Sequence, residues 1–374
     1  MRKRTNTMCK ELKFDTVSKE LFATVNVIYG AGDNGKRLYN KCMENHIPIY
    51  AFYDDDPVRW NETYCGCKIL SKSEFELLDK HDVIIIIGSL YLKQISEKLI
   101  CQGFDNIYAA YEMMLNRENY VYHFENYSND REYINNIDIL AAYFHYDLLS
   151  QKFYQLLKET AITGRAQNTI SDIFCSEQQY FLDVLKDKIN DLNFVDAGAY
   201  TGDTIRTMIK IGICPKAVYC FEADRSNYSK LKDYVDELSE KENIVCENYA
   251  LWNECVKVEI TGSKFNSQVN EITSKSTNQI NAITLDEYFK NIQVGFVKMD
   301  IEGAEYQALI GGEHIIERDR PILAISIYHS MEDRVEIPLY LIRKLKNYYF
   351  IIRHHSYTYS ETILYGIPKE KLGD

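Results

Sequence analysis

Short apolar runs alternate with amphipathic stretches along this chain, and their spacing defines two α/β regions with a helical region between them. Thr24-Val-Asn-Val-Ile-Tyr29 is β-branched and bounded by glycine, which predicts a buried strand. It runs into Gly30-Ala-Gly32-Asp-Asn-Gly35, after which residues 36–44 have a helical period. Further strands are predicted at 47–53, 68–70, 82–87 and 106–108, with 91–102 helical between the last two. This alternation predicts a small parallel α/β domain over residues 22–117, preceded by a polar arm over 1–21. From 118 to 190 the period becomes helical, with apolar residues three and four apart over 133–143 and 148–157. That region is expected to be a helical connector and a surface for a homodimer. Its aromatic residues Tyr143, Phe144, Tyr146, Phe153 and Tyr154 are expected to pack in the core or between domains.

The second α/β region, 191–374, opens on Asn193-Phe-Val-Asp196-Ala-Gly198-Ala-Tyr-Thr-Gly202-Asp203, followed by a helical pattern from Thr204. A strand, a glycine turn and a helix start bring main-chain N–H groups and a helix N-terminus to a ligand. The next strand, Ala217-Val-Tyr-Cys-Phe221, closes at Glu222, twenty residues past Gly202. A carboxylate there suits a ribose diol, because it accepts both hydroxyl protons. A helix over 226–238, a strand over 243–247 ending at Asn248-Tyr-Ala250-Leu251, a hairpin from 256 to 261 and a polar loop over 262–277 follow. Thr284 is expected to cap a short helix. The fourth strand, 294–299, ends in Asp300-Ile-Glu302-Gly-Ala-Glu305, read as opening a helix over 301–309 with Glu302 and Glu305 on one face. The fifth strand, 322–327, ends at Tyr328-His329, and the sixth, 348–353, ends at His354-His355.

Composition narrows the function classes. The net charge of −12 and pI near 5.3 exclude a general nucleic-acid or anionic-membrane binder. The longest apolar run, 83–90, is too short to span a bilayer. No apolar region follows Met1-Arg-Lys-Arg4, so no signal peptide is read and a cytoplasmic protein is expected. The ten cysteines lack zinc-type spacing and are expected to be reduced.

In a parallel sheet the carboxyl ends of the strands share one edge, where ligands bind. Asp196, Glu222, Asp300 with Glu302, His329, and His354 with His355 all fall at such ends. Their carboxylates suit a cationic ligand, and no P-loop sequence is present. In the first region, Gly30, Gly32 and Gly35 are followed by Asp54, nineteen residues past Gly35. Three readings stay open there: a nucleotide or nucleotide-sugar site, a dehydrogenase domain, and a structural docking domain. The dehydrogenase reading lacks a companion catalytic group in that half.

Phe-Val-Asp196-Ala-Gly198-Ala-Tyr-Thr-Gly202-Asp-Thr resembles the first motif of S-adenosylmethionine-dependent methyltransferases. Lys298-Met-Asp300-Ile-Glu302-Gly303-Ala-Glu305, with Arg320-Pro321-Ile-Leu and Ser326-Ile-Tyr-His329, resembles the signature of the FkbM family. Ala282-Ile-Thr-Leu-Asp286-Glu-Tyr-Phe289 and Ser360-Glu-Thr-Ile-Leu-Tyr365 fit the same family, over about residues 175–370. The first region resembles small Rossmann-like domains attached to some sugar-modifying acyltransferases.

The resemblance implies an α/β protein with two Rossmann-like parallel-sheet domains, the C-terminal one a class I methyltransferase fold. It implies an S-adenosylmethionine-dependent O-methyltransferase acting on a sugar, nucleotide-sugar or glycan in surface-polysaccharide biosynthesis. By position, Asp196, Gly198 and Gly202 would hold the methionine part of S-adenosylmethionine, in a cofactor set that adds Ala199, Tyr200, Asp203, Thr204 and Asp300. Glu222 would hold the ribose, and Asn248, Ala250 and Leu251 would line the adenine pocket. His329 and Asp300 are the candidate general bases, Glu302 joins them as a catalytic candidate, and Glu305, His354 and His355 are candidates for the acceptor site. A metal site from Asp300, Glu302 and His329 is not expected. The rival readings are an NAD-dependent nucleotide-sugar oxidoreductase or epimerase led by the Gly30 turn, and a non-catalytic ligand-binding scaffold.

Overall fold

The structure, a computed structural model, describes residues 9–12, 14, 19–89, 92–109, 127, 130–164, 172–238, 241–263, 266–270, 279–356 and 359–372. Backbone contacts divide the chain into two units, Met1–Val121 with Ser356–Tyr359, and Tyr122–His355 with Ser360–Asp374.

The first unit holds seven strands: β1 (Lys10–Glu11), β2 (Asn26–Tyr29), β3 (Ala51–Tyr53), β4 (Thr63–Tyr64), β5 (Cys67–Leu70), β6 (Ile84–Ile87) and β7 (Asn106–Ala109). Their order is β1-β7-β6-β2-β3-β5-β4, and every pair is parallel except β4 with β5. The four isoleucines of β6 are buried throughout, as a central parallel strand covered on both faces requires. Neither β1 nor β4 carries an apolar period. Pairing alone makes them strands, and β4 turns back through Cys65 and Gly66, both at positive φ.

In the second unit, β8 (Asn193–Ala197), β9 (Ala217–Phe221), β10 (Ile244–Glu247), β15 (Phe296–Met299), β16 (Ile322–Ser326), β17 (Tyr348–His354) and β18 (Thr362–Pro368) form the main sheet. Its order is β10-β9-β8-β15-β16-β18-β17, with β18 antiparallel to both neighbours. That is the class I methyltransferase arrangement, and the strand order reverses between β8 and β15. Ligands of open α/β sheets bind at such a switch point.

A second sheet, ordered β11-β14-β12-β13, is built from β11 (Ala250–Leu251), β12 (Lys257–Ser263), β13 (Asn266–Asn270) and β14 (Gln279–Ile283). The polar loop expected over 262–277 is therefore partly strand: Asn266–Asn270 pairs antiparallel with β12. Residues 264–265 and 271–277 of that loop lie outside the described residues.

The helices Arg131–Tyr143 and Leu148–Thr163 pack within the second unit. Tyr133 Oη donates to Met331 O at 2.7 Å, Tyr154 Oη to Arg334 O at 3.1 Å, and Arg353 pairs with Asp147 at 2.7 Å. The aromatic residues Phe144, Phe153 and Tyr154 are buried there. Residues 110–126, where the connector was expected to begin, lie outside the described residues.

Candidate active site

β8 leads through the turn 198–202 into the helix Asp203–Ile211 at the switch point. Gly198 has φ +79°, and a Cβ there would lie 1.8 Å from Asp300 O, so the two strand ends abut. Beneath the turn, Asp196 and Lys298 occupy paired positions on β8 and β15, and their side chains meet at 2.9 Å. Lys298 Nζ also donates to Gly198 O at 2.7 Å and Ala197 O at 3.3 Å, so the ion pair braces the turn from below. Burial alone would lower the Lys298 pKa, but Asp196, Asp300 and Asp203 outweigh it and keep the ammonium charged. Asp196 Oδ1 also takes the Thr204 hydroxyl at 3.4 Å, while Oδ2 accepts no hydrogen bond among the described residues.

Glu222 ends β9 and ties two loops together, accepting the N–H of Tyr200 and of Asp224, each at 2.8 Å. Burial pushes its carboxyl up to about 7. Asn248 Nδ2 donates to the carbonyls of Glu222 at 2.8 Å and Ala223 at 3.2 Å, fixing the rim beside it. Tyr200 and Asp203 face solvent, whereas Asp196, Ala199, Gly202 and Thr204 are buried under the turn. The expected adenine wall needs correction. Ala250 and Leu251 are buried in β11, Ala250 packed against Val258, Ile260 and Ile280, so neither side chain lines an open surface.

Asp300 follows β15, and its carboxylate accepts from Tyr180 Oη at 2.8 Å and Tyr328 Oη at 3.1 Å, with His329 Nε2 3.3 Å away as an ion-pair partner. The helix expected from residue 301 begins only at Glu305, because Glu302 and Gly303 take φ values of 57° and 98° and form a turn. Glu305 reaches back to accept the N–H of Ile301 at 2.7 Å and of Gly303 at 2.9 Å. Glu302 and Glu305 therefore share no helix face; they flank His329 from its two ring nitrogens. Glu305 Oε1 lies 3.0 Å from Nδ1, and Glu302 Oε2 lies 3.6 Å from Nε2.

This enclosure corrects the reading of His329 as a base. Burial opposes a charged imidazole, yet Glu305 and Asp300 outweigh it and hold the ring protonated, with no lone pair to offer. Burial likewise opposes the Asp300 anion, but His329 holds that carboxyl well below the ordinary range. Glu302 behaves oppositely: burial pushes it up to about 7, and its side chain remains 33% exposed. Asp300, Glu305 and His329 present ligand atoms within 4.8 Å of one another.

Three acceptor-site candidates are also corrected. Glu305 is fully buried and committed to its own turn. His354 and His355 are buried as well, Nδ1 of His354 meeting Thr362 Oγ1 at 2.8 Å and Nε2 of His355 meeting Tyr365 Oη at 3.1 Å. Lys298, Tyr180 and Tyr328 join the site, Lys298 pairing with Asp196 and the two phenols donating to Asp300. A lysine inside the apolar run Val294-Gly-Phe-Val-Lys-Met299 was a usable signal; Tyr180 carried none.

In the first unit the turn is close-packed. Gly30 has φ +111°, and a Cβ on Gly35 would lie 1.9 Å from Gly30 O. Asp54 accepts the N–H of Ala31 at 2.8 Å and of Asp56 at 3.0 Å, so its carboxylate holds the turn. A cleft of about 610 Å³ lies beside it, lined among others by Gly30, Gly32, Asp33, Asp54 and Lys98.

Residues 196–359, which contain the turn, Glu222 and the acidic cluster, match the Methyltransferase FkbM domain. Residues 196–359 form an FkbM-family methyltransferase domain. Residues 24–107 match the family described as C2185-like, N-terminal. The crystal structure of Methyltransferase FkbM from Methylobacillus flagellatus KT is 22% identical, with 92% of this chain and 90% of that chain covered at a TM-score of 0.56. At that identity the likeness speaks for the fold alone. More distant are an rRNA methylase from Streptococcus thermophilus (18% identity, 49% and 90% covered, TM-score 0.33) and Aeropyrum pernix fibrillarin with natively bound S-adenosyl-L-methionine (13%, 48% and 67%, 0.32). No curated protein matches the chain. Among the described residues, no helix is long and apolar enough to cross a membrane.

Proposed function

We propose that this chain, through its FkbM methyltransferase domain, moves the methyl group of S-adenosylmethionine to a hydroxyl of a sugar, nucleotide-sugar or glycan acceptor in surface-polysaccharide biosynthesis. The observation that carries this reading is the Gly198 turn abutting the Asp300–Glu302 cluster at the switch point of the sheet. The residues fit the cofactor. Gly198 leaves a cradle that a Cβ would fill, Asp196 Oδ2 is a buried acceptor with no partner among the described residues, and each Glu222 oxygen retains a lone pair for a ribose hydroxyl.

When bound, S-adenosylmethionine supplies an electrophilic methyl on a cationic sulfonium, and the carboxylates of this edge favour that charge. Tyr200, Asp203, Glu222 and Asn248 orient it from the open side, and Asp196 acts through Lys298 on the turn. Glu302 takes the proton of the acceptor hydroxyl as that oxygen takes the methyl. Alignment of acceptor and donor accounts for up to about 7–11 kcal/mol of the barrier. The base adds roughly 10²–10⁴-fold.

A second element concerns the first unit: the cleft beside the Gly30 turn suits the nucleotide part of a nucleotide-linked sugar. Asp54, already holding two N–H groups, weighs against the dinucleotide reading. The test is transfer of labelled methyl from S-adenosylmethionine to glycan fractions by the full chain. Label on a sugar oxygen, lost in Glu302→Gln, supports the proposal; label on nitrogen, or none with any fraction, overturns it.

A further inference from the structure

We propose that Tyr180 is a positioning residue that locks Asp300 as a spectator anion and so leaves Glu302 as the proton acceptor. This rests on the methyl-transfer reading above.

Tyr180 lies in the loop before the helix Asp183–Ile189, and its backbone is held in the left-handed region at φ 66°. That conformation is costly for an aromatic residue and persists only where its surroundings over-determine it. They do so here. The Tyr180 N–H donates to Tyr365 Oη at 2.9 Å, and that hydroxyl also meets His355 Nε2 at 3.1 Å. Lys298 Nζ lies 5.3 Å from the centre of the Tyr180 ring, which places the ring beside the cation that braces the Gly198 turn. Gln179 Nε2 donates to Tyr180 Oη at 3.1 Å. With one lone pair filled from Gln179, the phenol directs its single proton to Asp300 Oδ2, 2.8 Å away.

Tyr328 Oη covers Oδ1 at 3.1 Å, and His329 Nε2 lies 3.3 Å from the same oxygen. Two phenol donors and the adjacent imidazolium charge stabilise the carboxylate and leave its protonation unfavourable. Glu302 faces His329 Nε2 at 3.6 Å, and a third of its side chain is open. The division of labour between two acids two residues apart is thus set by Tyr180 and Tyr328, whose hydroxyls donate to Asp300. Burial keeps the Tyr180 phenol itself protonated, so it serves as a donor throughout.

The test is a double-mutant cycle of Tyr180→Phe with Asp300→Asn on the full chain, read as methyl-transfer kcat, acceptor KM and affinity for S-adenosylmethionine. Tyr180→Phe is expected to lower kcat about tenfold to a hundredfold, the loss of one hydrogen bond to a charged group. Its KM and cofactor affinity stay within about twofold, because the ring and the N–H to Tyr365 remain. Asp300→Asn retains measurable transfer, and adding Tyr180→Phe lowers it no further. Multiplying losses, no loss in Tyr180→Phe, or abolition of transfer by Asp300→Asn each overturns the proposal. A large fall in the thermal midpoint of Tyr180→Phe also overturns it, in favour of a purely structural role. A wild-type chain that binds the cofactor but transfers nothing sinks the methyl-transfer reading first, and is distinguishable from all of these.

Discussion

Lys298 Nζ lies 2.9 Å from Asp196 Oδ1 on neighbouring strands, with side-chain exposures of 3% and 0%. A charge buried to that degree is tolerated only with its partner, so breaking the pair leaves an uncompensated ion inside the sheet. Lys298→Met or Asp196→Ala should each cost about 3–5 kcal/mol of unfolding free energy, measured by urea denaturation. Replacing both by apolar residues should recover much of that loss. Equal destabilisation by the double variant and the sum of the singles contradicts the pairing.

Glu302 and His329 divide acid–base work by environment. The Glu302 carboxyl sits near 7 because of burial, so methyl transfer should rise with pH through about 7 as it loses its proton. Glu302→Gln should lower kcat by roughly 10²–10⁴-fold and remove that limb of the profile. His329→Gln should also impair transfer, by freeing three carboxylates from their shared cation, but should leave the limb in place. A limb that disappears with His329 and survives Glu302→Gln assigns the base to the histidine.

Glu222 links pH to stability. Its folded pKa of about 7 lies above the ordinary 4.5, burial being the leading cause. The folded state therefore holds this proton more tightly than the unfolded chain, and the resulting stability is present below pH 4.5 and lost as pH rises through 7. Denaturant unfolding of the wild type between pH 5 and 8 should fall more steeply than that of Glu222→Gln. Parallel slopes contradict the assignment.

The two glycine turns offer a contrast within one chain. At Gly198 the added methyl would meet Asp300 O at 1.8 Å with a positive φ, whereas nothing lies within 4 Å of a Cβ on Gly32. Gly198→Ala should destabilise the second unit and abolish cofactor binding; Gly32→Ala should stay within about 0.5 kcal/mol in stability. Thermal unfolding and calorimetric titration of both variants check this.

Much of this organisation was legible in local sequence. Ala217–Phe221 is read from its apolar run with both ends correct, and the acids at 196, 222 and 300 follow from the rule that strand ends share an edge. What escaped was set by contacts distant in sequence or by backbone at positive φ. Asn266–Asn270 has no alternation and is a strand only because β12 offers it a ladder. Glu302 spells a helix start but turns left-handed, which moves the helix to Glu305 and re-aims both acids around His329. Tyr180 reaches Asp300 across 120 positions, a pairing no local period encodes. His354 and His355 looked like a loop because they follow a strand; Thr362 and Tyr365 on the antiparallel neighbour draw them inward.

The most direct measurement is calorimetric titration of S-adenosylmethionine into the full chain and into Glu222→Ala. Saturable binding at one site per chain, weakened at least about tenfold in the variant, is the predicted result, since one tenfold step is about 1.4 kcal/mol and Glu222 is given two hydrogen bonds to the ribose. No binding to the wild type, or equal binding to both, contradicts the placement of the cofactor at the Gly198 turn.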